Sequence, residues 1–189
     1  MSAPIDRRLL AIYLNDHVAG ATVGVQRVRR MASAYEGTVA GTVVAPMVRE
    51  LEEEREWLLG CLHALDVPVR SYKVVGASVA ERVGRLKLNG RVGSTSPLSA
   101  LLEVELLRGA VTGKQSGWQT LLALEADLGL TAEQVATLHE MVDQADEQIG
   151  ALTDLLDLLH AKVFRRRTGD EPGSSGPSAR PVAPGAEAS

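Results

Sequence analysis

Three consecutive side chains near the start of the chain, Asn15, Asp16 and His17, interrupt a run of apolar and small residues from 12 to 25. A carboxylate beside an imidazole can ligate a metal, move a proton or pair inside a core. Further along, Glu54 lies in the acidic run ELEEERE (50–56), Glu103 and Glu105 lie in a leucine-rich turn, and Lys114 follows an apolar stretch. A di-metal centre in a helical bundle takes one Glu from each of two helices and a Glu-x-x-His pair from each of the other two. Residues three apart share a helix face, which is why that spacing recurs. No Glu-x-x-His occurs in this chain; the nearest match is Asp157-Leu158-Leu159-His160, whose ends flank an apolar seam.

The elements that must position these side chains read as helices. Thr131 and Gln134 form a capping box ahead of Val135, Leu138, Val142, Ala145, Ile149, Leu152, Leu156, Leu159 and Val163, spaced alternately three and four. That pattern predicts a last helix about 50 Å long packed in a bundle. Ser96 and Pro97 open the preceding helix, which runs to about Leu124, and DLGLT turns it into the last one. Helix one is expected over Asp6 to Ala32 and helix two from Pro46 to near Leu65. A short helix, Ser78 to Leu88, with its own capping box at Ser78 and Glu81, falls in the long connection between helices two and three. Four long helices in two hairpins joined by one long crossover give an all-α, ferritin-like four-helix bundle as the expected fold. The bundle occupies residues 1–168. Residues 169–189, rich in Pro, Gly, Ser and Ala without apolar periodicity, read as a disordered tail.

On this frame Leu10, Leu14, His17, Ala21, Gly24 and Val28 form one stripe of helix one, with Asp16 on its shoulder. Met47, Leu51, Glu54, Leu58, Cys61 and Leu65 form the stripe of helix two, and Val104, Leu107, Val111, Lys114, Trp118 and Leu121 that of helix three. Three readings follow, the last being that these side chains are largely exposed. In the first, Asn15, Asp16, His17, Glu54 and Lys114 form a buried polar network, with Glu54 paired to His17 or Lys114 paired to a carboxylate. In the second, Asp16, His17, Glu54 and Glu105 are a degenerate metal site for iron or manganese. The first reading is adopted, with no cofactor and no catalytic residue.

The glycines ask for an account, because Gly inside a helix is costly. Gly20 and Gly24 on helix one, and Gly109, Gly113 and Gly117 on helix three, predict close helix–helix contacts, or else a dimer interface or ligand groove. The crossover is basic, with Arg70, Lys73, Arg82, Arg85, Lys87 and Arg91 against Glu81. It reads as a solvated face, with an anionic docking surface as the alternative. A single tyrosine there gives no stacking platform for nucleic-acid readout. His63 and His139 have no partner at catalytic spacing, and there is no nucleophile elbow, P-loop or dinucleotide fingerprint. Net charge is −4 and the lone Cys61 forbids an internal disulfide. With no signal peptide or membrane span in the sequence, the expected location is cytoplasmic.

The strings YLNDHVAGATVGV, ELEEERE, GRLKLNGR and LEVELLRGAVTGKQSGWQTL resemble those of small actinobacterial proteins related to the ferritin-like superfamily. The resemblance covers most of residues 8–165 and implies a ferritin-like bundle. It brings no iron site with it, since the superfamily's Glu-x-x-His pairs are missing. The functional expectation is a non-catalytic bundle acting through protein–protein contacts, as a homodimer or with another protein. A metal-binding or oxidase-type bundle is the alternative.

Overall fold

A computed structural model of the chain describes residues 5–70 and 97–165. All regular structure among the described residues is helical: α1 Arg7–Ala34, α2 Val39–Val44, α3 Met47–Ala64, α4 Pro97–Ala123, α5 Glu125–Leu128 and α6 Ala132–Phe164. The expected helix over 78–88, the Ser96 cap, most of the basic crossover and the tail from 169 lie outside the described residues. No described helix is long and apolar enough to cross a membrane.

The helix ends follow local chemistry. Asp6 caps α1, its carboxylate accepting from the backbone N–H groups of Arg8 and Leu9. Thr131 and Gln134 make the reciprocal capping box of α6. At the end of α3 the Val67 N–H donates to Leu62 O and the Asp66 N–H to His63 O. This is a Schellman closure, with Asp66 at φ 53° in the left-handed position usually held by glycine. The one-turn helix α5 runs into the DLGLT turn and is closed there by Gly129 at φ 65°. Helix α2 was not expected. It is six residues long, too short to display a period, and Thr38 caps it by accepting from the Gly41 N–H. Gly41 is required there: a Cβ would stand 2.1 Å from the carbonyl oxygen of Tyr35.

Contacts along the helices set their directions. Arg7 meets Leu65, Arg55 meets Thr22, and Arg29 meets Glu52, so α1 and α3 are antiparallel. Gln115 bonds Asp146 and Glu105 approaches His160, so α4 and α6 are antiparallel too. Tyr13 reaches Thr120 and Arg30 reaches Glu103, which sets α4 against α1 and parallel to α3.

The interior divides in two. One apolar cluster gathers Val28, Met31, Val44, Leu51, Leu107, Val111 and Leu152, and the other gathers Leu14, Val18, Leu58, Leu62, Trp118, Leu121 and Leu138. The division falls between Leu51 and Leu58 on α3 and between Val111 and Trp118 on α4. Glu54 and Lys114 occupy those two gaps.

Candidate functional site

The polar layer between the two cores is built on one ion pair. Glu54 is 3 % exposed, and both its carboxylate oxygens accept from Lys114 Nζ at 2.6 Å. The ammonium also donates to Gln148 Oε1 at 2.8 Å, and Gln148 Nε2 donates to Glu50 Oε2 at 2.8 Å. The chain of bonds thus crosses α3, α4 and α6. Burial pushes the Glu54 carboxyl up and the Lys114 ammonium down, in each case against the attraction of the other. Such a pair gains from attraction in a low dielectric, but both groups lose their hydration, so its contribution rests on satisfying every donor and acceptor.

Asn15, Asp16 and His17 point three ways, as neighbours about 100° apart around a helix must. Asn15 is buried and holds the end of the α3 connection. Its Nδ2 donates to Ala11 O and Pro68 O, and its Oδ1 accepts from the Arg70 N–H at 2.7 Å. Asp16 is exposed. His17 is half-buried and lies on α4, where Gly117 makes room for it: a Cβ on Gly117 would stand 2.9 Å from two of its ring atoms. Its ring also packs at 4.5 Å from that of Tyr13. Burial lowers the imidazole pKa, opposed by the nearby Asp16 charge.

The structure therefore joins Glu54 to Lys114 and leaves Asn15, Asp16 and His17 outside that bonded chain. Glu105 is on the outer side of α4, 3.9 Å from His160 with both side chains about half exposed, and does not approach Glu54. No group of three or more His, Cys, Asp or Glu with metal-binding geometry occurs among the described residues. Gln148 was not foreseen. The buried positions of α6 are Leu138, Met141, Ala145, Gln148, Leu152, Leu155, Leu156 and Leu159: five of them belong to the expected seam, and Met141, Gln148 and Leu155 widen it to one side. Gln148 stands seven residues from both Met141 and Leu155, and that heptad spacing was the available signal. Cys61 is buried, with its thiol pushed up by the loss of water.

A cleft of about 340 Å³ opens beside the polar layer, between α1 and α4. Asp16 and His17 line it from α1, Glu54 and Arg55 from α3, and Lys114 and Trp118 from α4. Gly20, Gly24 and Gly113 line it as well, and a Cβ added to any of these would meet nothing within 4 Å. The expected tight helix contact holds at Gly117 alone of the glycines on these two helices; the other four face open space. Each such glycine costs its helix up to about 1 kcal/mol relative to alanine, with no crowding to require it.

No protein-family profile, curated protein or solved structure matches the chain.

Proposed function

We propose that the protein is a non-catalytic, ferritin-like four-helix bundle that works through noncovalent contacts, with a second copy of the chain as its first candidate partner. One observation carries the reading. The single buried carboxylate among the described residues, Glu54, is bonded through both oxygens to a lysine. A di-metal bundle uses its inward carboxylates as ligands, and here that coordination capacity is spent on Lys114. The ferritin-like part is supported by the two antiparallel hairpins, α1 with α3 and α4 with α6, and by the parallel course of α3 and α4 on either side of the long connection. Contact through surfaces is supported by the exposed Leu98 and Leu102, one turn apart on α4, and by Phe164 at the end of α6.

Elemental analysis of untagged protein, with oxygen and peroxide consumption after added iron, tests the reading together with mass in solution. The expected result is metal well below stoichiometry, no turnover and a dimer mass. Stoichiometric iron or manganese with turnover overturns the non-catalytic reading, and a monomer mass removes the second copy as partner.

A further inference from the structure

We propose that the cleft between α1 and α4 is a binding site for a small cationic amphiphile, its apolar body between the glycine-lined walls and its amine at Asp16. The volume of about 340 Å³ is at the lower end of ligand pockets, which run from roughly 300 to 1,000 Å³. The walls are built to keep space open. Gly20, Gly24 and Gly113 weaken their helices without any neighbour that a methyl group would strike. Room for a third body is the use left for them.

Polar groups around the same space are unspent. The Trp118 indole is 4 % exposed, and its buried Nε1–H has no acceptor among the described residues. The His17 imidazole makes no hydrogen bond among them either. Of the two, His17 is the half-buried one and offers a donor–acceptor to a guest, whereas the floor is already satisfied. Glu54 and Lys114 cancel one another, and Arg55 is committed to Thr22 and Glu56. The charged residues of the lining are Asp16, Glu54, Arg55 and Lys114, and of these Asp16 alone has no ion pair or hydrogen bond among the described residues. A carboxylate at the mouth of an apolar cleft selects a cation with a hydrocarbon body.

Calorimetric titration of the full chain with phenylbutylamine, phenylbutanol and phenylbutyrate tests the site, since the three share a body and differ in the head. The amine is expected to bind once per chain, about fivefold more tightly than either of the others, the upper end of what one exposed ion pair supplies. Asp16→Asn brings amine and alcohol level. Gly24→Leu and Gly113→Leu fill the space from opposite walls, and each abolishes binding with helical circular dichroism retained. Two variants guard against one that fails to fold. Absence of amine binding at millimolar concentration, tighter binding of the carboxylate, or amine binding that survives in both folded leucine variants would each overturn the proposal.

Discussion

Lys114 Nζ stands 2.6 Å from both carboxylate oxygens of Glu54, between two apolar cores that those residues separate. Removing one partner strands the other charge in the interior, whereas removing both relieves two desolvation penalties at once. Lys114→Met is therefore expected to lower unfolding free energy by about 3–5 kcal/mol. The double variant Glu54→Leu/Lys114→Met should recover most of that loss. Urea unfolding of the two singles and the double, read as a double-mutant cycle, checks it; a double no better than the worse single would contradict it.

The glycines of α4 divide by what they face. At Gly113 a methyl group meets nothing within 4 Å, so Gly113→Ala should raise stability by about 0.4–1 kcal/mol through the unfolded chain and the helix. At Gly117 the same methyl stands 2.9 Å from the His17 ring, so Gly117→Ala should cost about 1–3 kcal/mol. Thermal melts of the two variants are expected to move in opposite directions.

His17 gives the fold a pH dependence of defined sign. Burial lowers its pKa in the folded chain, while in the unfolded chain it titrates near its ordinary value of about 6.5. Above that value the contribution is fully present. As pH falls through it, protons bind the unfolded chain first, and stability declines until the folded imidazole also titrates. The urea midpoint of the wild type should fall more steeply than that of His17→Gln between about pH 7 and pH 5. Parallel profiles would show that the imidazole is not held in its neutral form.

At the other end of the molecule, Tyr35 donates its hydroxyl to Glu103 at 3.1 Å, and Glu103 also accepts from Arg30 at 2.7 Å. Burial, then the Glu103 charge and hydrogen bond, push the phenol up to about 12. Its contribution is complete below about pH 10, where the unfolded phenol titrates, and is lost as pH rises toward 12. Absorbance titration should show one tyrosine ionising late, and Tyr35→Phe should remove that late step. If the late step persists in Tyr35→Phe, the assignment to this hydroxyl is wrong.

Asn15 is expected to matter for stability more than either of its polar neighbours. Asn15→Ala leaves the Arg70 N–H and the Pro68 carbonyl without their side-chain partner. Loss of partners on buried or half-buried backbone costs about 1–3 kcal/mol. Asp16→Ala, at an exposed site, should stay within about 0.5 kcal/mol of wild type. Chemical denaturation of the two variants separates them.

Local and periodic signals in the chain were enough for the long helices. Asp6, Pro46, Pro97 and the Thr131–Gln134 box mark helix starts through bonds and dihedral limits set within a few residues. The stripe of α3, from Met47 to Leu65, is buried throughout because five apolar positions at one spacing leave a single face to bury, and Glu54 shares that face. The four residues that could have made a metal site, Asp16, His17, Glu54 and Glu105, were a different matter. Spacing placed Glu54 inward, yet its choice of Lys114 over His17 depends on how α3, α4 and α1 rotate against one another. The same rotation turned Glu105 to His160, brought Gln148 into the seam ahead of Ile149, and put Gly117 alone against a neighbouring side chain. Those outcomes are relations between helices far apart in the chain, so residue types and periods determined which faces are buried, and only the packing of those faces decided which polar groups meet.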